Sequence, residues 1–358
     1  MTDQPLPPFS CTYSPNIPEL LWQLRCTLVI STYQAGKVIF LSATSLDDLI
    51  QLPRNFQKPM GLAISAQRLA VATRDEVVVL ANAPALAADY PPQPRQYDGM
   101  YMPRAVYFTG ELDIHDLAWG ENGLWAVNTR FSSLCLIDDA FSFKPQWSPP
   151  FISELAPDDR CHLNGMAMVD GRPQYVTALG DTDASEGWRP EKASGGVLMH
   201  VPSGEIILRD LPMPHSPRIY DGQLYLLLSA TGELVCVDPQ RGTYETVTRL
   251  PGFVRGLSRY GDYLFVGLSR LRQKTSAFRD LPIAKQSVFC GVVVVYLPRG
   301  HIVGHIKYET SCEEIYDVQV LPGLRRPGLV SPAQSVHRLA LATPEHGFWA
   351  ATEPEETD

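Results

Sequence analysis

No apolar run in this chain approaches the roughly 20 residues that a membrane-spanning helix needs. Basic charge is also scarce, with 30 Lys and Arg against 39 Asp and Glu and a net charge of −9. A protein that grips a phosphate backbone normally shows the opposite balance, so neither nucleic acid nor membrane is expected as a partner. The opening residues, MTDQPLPPFSCTYSPNIPEL, lack the basic and apolar segments of an export signal. Seven cysteines (11, 26, 135, 161, 236, 290 and 312) make an odd set with no C-x-x-C spacing, which argues against a disulfide framework or zinc ribbon. They read as reduced thiols, so a cytoplasmic location is expected. A sustained 3.6-residue apolar period is missing too; only residues 19–24 look briefly helical.

What the chain has instead is short apolar runs cut by 26 Gly and 31 Pro. Runs such as residues 37–41, 68–72, 77–80, 123–127, 223–228, 263–266 and 291–296 are strand-sized and bounded by turn signals, the mark of an all-β protein. They also recur as units of a short first strand, two apolar strands and a more polar outer strand. The units begin near residues 60, 115, 162, 215 and 254, a spacing of propeller-blade size. A sixth begins at IYDVQVLPG, from Ile315, but has no strands after Gly323 to complete it. Three spare strands lie at the other end, within residues 27–53. Pairing them with the last first-strand closes the ring and removes its edges. The expected fold is therefore a six-bladed β-propeller over residues 24–323, with an N-terminal extension (1–23) and a partly flexible, acidic-ended tail (324–358). A seven-bladed ring is the alternative, if residues 90–112 hide a weak unit.

In such a ring the starts of the innermost strands and the turns between second and third strands meet at one mouth of the channel. Three of only eight histidines open consecutive blades there: His115 (HDLAW), His162 (HLNGM) and His215 (HSPRI). Three imidazoles around a common point would suit a divalent transition metal, zinc, copper or iron, with a position left open for water or substrate. Asp116 or Asp181 would serve as base or as the group that orients an imidazole. The alternatives are a metal-free acid–base cluster and simple packing at blade junctions. The same rim carries Arg74, Arg130, Arg218 and Arg255, whose planar guanidinium groups match carboxylate or phosphate, with Tyr33, Gln34, Asn128, Asn164 and Asp317 beside them.

Two long insertions interrupt tight turns on that face, residues 180–196 and 269–291. Such loops on a rigid scaffold often carry specificity; Trp188 is the expected apolar contact, and Arg270 and Arg272 add charge. Other patterns fail on inspection. STYQAGKV lacks the first glycine and the Ser/Thr of a phosphate loop, so no nucleotide cofactor is expected. His301 and His305 have helical spacing but fall on a strand, where they would lie roughly 13 Å apart.

The strings STYQAGK (31–37), PMGLA (59–63), LAVATR (69–74), LDIHDLAW (112–119), VNTRFSSLC (127–135), HLNGMA (162–167), TALGDTD (177–183), MPHSPR (213–218), LPGFVRGL (250–257) and EIYDVQVLPG (314–323) span nearly the whole chain. By them the chain resembles a family of bacterial conserved hypothetical proteins defined as a domain of unknown function. The resemblance implies no activity, but its strings cluster on the expected channel face. The functional expectation is thus a metal-dependent enzyme (lyase, hydrolase or oxygenase) acting on a small anionic molecule or peptide. A non-catalytic binding module with a protein partner and a metal-free histidine lyase or epimerase are the competing readings.

Overall fold

The computed structural model describes residues 5–271, 278, 280–286 and 289–351. Arg272 and the acidic end of the tail lie outside them. Within the described residues the chain forms six four-stranded antiparallel blades in a ring. Blade 1 comprises Leu62–Ser65, Arg68–Ala72, Glu76–Asn82 and Gly99–Phe108, from the channel outward. Blade 2 comprises Ile114–Gly120, Gly123–Asn128, Ser133–Leu136 and Lys144–Trp147. Blade 3 comprises Leu163–Val169, Arg172–Ala178, Gly196–His200 and Ile206–Leu211, and blade 4 comprises Pro214–Tyr220, Gln223–Leu228, Glu233–Asp238 and Thr243–Arg249. Blade 5 comprises Phe253–Tyr260, Tyr263–Ser269, Gly291–Tyr296 and His301–Tyr308. Blade 6 takes Asp317–Pro322 as its innermost strand and Cys26–Thr32, Lys37–Ala43 and Leu49–Asn55 as the others. Antiparallel pairing from Cys26↔Pro322 to Ser31↔Asp317 closes the ring as expected.

The continuous apolar runs follow from this architecture. Both faces of a middle strand press on a neighbouring blade, so residues of either parity are buried, whereas a half-solvated sheet would alternate. In blade 6, Leu28, Ile30, Ile39 and Leu41 face Phe265, Val292 and Val294 of blade 5, while Val29, Val38 and Phe40 face Leu69, Val71 and Val78 of blade 1. Four further cores fill the remaining blade junctions.

Residues 90–112 do not make a seventh blade: Gly99–Phe108 is the outer strand of blade 1. The terminal segments cover sheet edges. Cys11–Tyr13 pairs with the outer strand of blade 5, Ile17–Leu24 forms a helix against blades 5 and 6, and Pro327–Leu329 adds a parallel fifth strand to blade 1.

Candidate functional site

Blades alternate in what they present to the channel. The innermost strands of blades 2, 4 and 6 begin Ile114-His115-Asp116, Pro214-His215-Ser216 and, with the residues just before it, Ile315-Tyr316-Asp317. In each triplet the last side chain takes an N–H of the following blade: Asp116 from Met166, Ser216 from Gly256 and Asp317 from Leu62, all at 3.0 Å. The strands in between must then approach closely, which excludes side chains at Gly61, Gly165 and Gly256. A Cβ on Gly61 would lie 2.9 Å from the Asp116 Cα, and one on Gly256, where φ is +79°, would lie 2.7 Å from the Val318 nitrogen.

His115 and His215 sit in matching settings. The Thr129 hydroxyl donates to the Leu163 carbonyl (2.6 Å), so toward His115 Nδ1, 2.8 Å away, it can only accept. The Asp113 carbonyl, at 2.8 Å from the same nitrogen, is an acceptor as well. In blade 4 the Ser229 hydroxyl donates to Val254 O (2.6 Å) and lies 2.9 Å from His215 Nδ1, which also faces Met213 O at 3.1 Å. Both Nδ1 atoms therefore carry the proton, and both Nε2 atoms are bare acceptors. Burial pushes the His115 imidazole down to about 3 and that of His215 well below the usual range, despite the Asp113 carboxylate beside His115. Both rings are neutral at neutral pH.

Deeper in the channel, Arg218 makes a bidentate pair with Asp116 (2.7 and 3.0 Å) and also donates to Met166 O and Pro217 O. This pair spans blades 2 and 4, with Asp116 buried and Arg218 mostly so. Asp317 has no basic group within ion-pair distance among the described residues, and burial raises its carboxyl to about 6.

Above this plug lies a cavity of about 10 Å³, room for one water, lined by His115, Asn164, His215, Arg255, Tyr316 and Asp317 among others. Two buried donors at this place, Asn164 Nδ2 and Arg255 Nε, have no hydrogen-bond partner among the described residues. Arg255 also has no carboxylate within ion-pair distance among the described residues. Its Nη2 donates to His215 Nε2 (3.3 Å), and its guanidinium lies over the rings of Tyr316 (4.7 Å) and Phe253 (5.5 Å). Desolvation lowers the Arg255 guanidinium from its ordinary value. The Tyr316 phenol is held well above its usual range by burial and stays protonated.

His162 stands at the rim. Its Nδ1 meets Asp159 Oδ2 at 2.9 Å, and its ring lies edge-on to His115 (centroids 4.7 Å apart). Trp188 stacks against it at 4.2 Å and donates from Nε1 to the same Asp159 oxygen, so Trp188 packs as a buried seal and does not offer an exposed apolar contact. Of the three histidines, His115 and His162 lie ring against ring, while His215 faces Arg255. His215 Nε2 already accepts from Arg255, and among the described residues no three His, Cys, Asp or Glu side chains are arranged to hold an ion.

Several expected site residues lie elsewhere. Asp181 turns outward and pairs with Arg209 beyond the rim, because the chain leaves the channel at Gly180. Arg130 is half-exposed and 3.5 Å from Glu111, and Arg74 is exposed. Asn128 is buried under its own turn, accepting the Phe131 N–H, and Tyr33 packs edge-on against Tyr316 without lining the cavity. Gln34 accepts the Glu313 N–H (3.2 Å) and so tethers the segment that leads to Tyr316. Tyr316 and Thr129 were absent from the expected set of ligand-facing and orienting groups, whereas Ser229 falls at a turn between second and third strands, where the repeat puts channel-facing residues. The parallel between IHD, PHS and IYD was the available signal for Tyr316.

A family model described as "Domain of unknown function (DUF4915)" matches residues 15–330. The chain belongs to this family. No curated protein matches it. Among solved structures, a chain of "Crystal structure of Nidogen/Laminin Complex" is similar, with a TM-score of 0.52 and 12% identity, over 83% of this chain and 99% of that one. At that identity the likeness speaks for the propeller fold alone. Among the described residues no helix is long and apolar enough to cross a membrane.

Proposed function

We propose that this protein takes a small carboxylate- or phosphate-bearing molecule at the channel mouth, with Arg255 and Asn164 holding the anionic oxygen and His115 Nε2 accepting a hydrogen from the ligand. One observation carries the reading: among the described residues, two unpartnered buried donors and a guanidinium without a carboxylate meet at one small cavity. Leaving such donors dry costs about 1–3 kcal/mol each, a penalty an incoming oxyanion relieves. A cavity of this size admits one oxygen of the ligand, and the remainder lies above it.

The locked tautomers favour acid–base chemistry over simple binding. A hydroxyl and a carbonyl fix Nδ1–H in each ring, so that Nε2 of His115 is the acceptor aimed at a ligand proton. A neutral, weakly basic imidazole becomes a better base once an anion sits beside it. Among the competing readings, a metal-free lyase or epimerase fits these groups better than a metal centre, because a cation would have to share its position with the Arg255 guanidinium.

Thermal denaturation of the wild type and Arg255→Met with millimolar acetate, lactate and inorganic phosphate tests the proposal. At least one of these probes should raise the wild-type midpoint and leave the variant unmoved. Equal shifts in both proteins, or none in the wild type, count against it.

A further inference from the structure

Cys290 ends the long insertion of blade 5, where its carbonyl accepts the Tyr308 N–H (2.8 Å). Cys312 follows the outer strand of the same blade, 22 residues on, just before Tyr316 and Asp317. Their sulfurs lie 3.7 Å apart. The Cys290 thiol donates to Cys312, whose own thiol reaches the Glu314 carbonyl at 3.8 Å. Among the described residues no other two cysteine sulfurs meet, and the remaining thiols are packing groups or single side chains.

We propose that Cys290 and Cys312 form a peroxide-oxidisable pair, a covalent modification site that staples the end of the blade 5 insertion to the segment leading into the channel. The sulfurs need to close by about 1.7 Å to reach disulfide distance. Cys312 exposes 2% of its surface and Cys290 none, so a bulky disulfide oxidant is poorly suited and hydrogen peroxide is the chemical class that fits. Cys312 reacts first: the hydrogen bond from Cys290 lowers its thiol relative to an ordinary cysteine, and it is the more exposed of the two. Its sulfur attacks one peroxide oxygen, the O–O bond breaks, and water leaves with Cys312 as the sulfenic acid. The Cys290 sulfur then displaces the sulfenic oxygen as a second water. Two thiols lose two electrons and two protons in all, and one peroxide is reduced to two waters. The link does not depend on any ligand at the channel mouth.

The test uses the full-length protein, reduced and desalted, then exposed to hydrogen peroxide. Thiols counted under denaturing conditions should fall from seven to five, and unreduced peptide maps should join the peptides of Cys290 and Cys312. In Cys290→Ser, dimedone should label Cys312 as a trapped sulfenic acid. Seven surviving thiols, a sulfinic acid at Cys312 with no cross-link, or a link between other cysteines overturns the proposal. The wild-type peptide map decides the matter even where the serine variant does not fold.

Discussion

Replacing Asp116 by Asn should destabilise the propeller by about 3–5 kcal/mol, the cost of stripping one partner from a buried ion pair. Asp116 is 3% exposed and receives the two guanidinium bonds of Arg218 together with the N–H groups of Leu117 and Met166 at 3.0 Å. Asparagine keeps one carbonyl oxygen and turns an amide N–H2 toward donors. At least two of those donors then lose their acceptor, at about 1–3 kcal/mol each, which brings the second estimate into the same range as the first. Arg218, 16% exposed at its side chain, also loses its counter-charge. Urea denaturation followed by the fluorescence of Trp119 and Trp125, both on blade 2, reads the change. The Asp116→Leu, Arg218→Met double variant should lose less than the sum of its single variants, because it leaves no lone charge behind. An Asp116→Asn protein within about 1 kcal/mol of wild type, or strict additivity in the cycle, would refute the idea that this pair plugs the channel.

Arg255→Met should change stability by no more than about 1 kcal/mol, since the guanidinium has no carboxylate to abandon; a loss of several kcal/mol in the same assay would make it structural. Thr129→Val removes the acceptor from His115 Nδ1–H and the donor from Leu163 O, at a cost of about 1–3 kcal/mol. Imidazole nitrogen shifts should still report the Nδ1–H form of His115, because the Asp113 carbonyl keeps accepting from that nitrogen, and an Nε2–H form contradicts the assignment. The two histidines work against stability on acidification below about pH 6.5: both folded rings resist a proton that the unfolded chain accepts, so each costs about 1.4 kcal/mol per pH unit there and nothing above. Asp317, raised to about 6, and Glu314, raised to about 7, act oppositely below those values and offset the two histidines, so the rings are followed directly: imidazole nitrogen shifts that stay neutral from pH 7.5 to 5 are expected, and a ring that protonates near 6.5 goes against the pair.

The ring was legible because blades that bury both faces write continuous β-branched and aliphatic runs, and turn residues separate them. The closure was legible because strands were missing at one end and spare at the other. The outer strand Gly99–Phe108 was not, since its solvent side breaks the apolar pattern, with Phe108 78% exposed. The blade positions of His115, His215, Asp116, Arg218 and Arg255 came from the repeat itself, which fixes what the start of an innermost strand faces. Asp181, Arg74 and Arg130 lie in turns, where no register fixes direction, and there the repeat carried no information. One contact at the site is not contained in the sequence at all: the guanidinium of blade 5 lying against the imidazole of blade 4.

A bromide soak of crystals of the protein tests the channel-mouth account most directly, because a single ion needs little more room than the water the cavity admits. Anomalous density within hydrogen-bond reach of Arg255 and Asn164 Nδ2, gone in Arg255→Met, is the predicted result. Bromide bound only at the outer surface, with neutral water between His115 and Arg255, would contradict it.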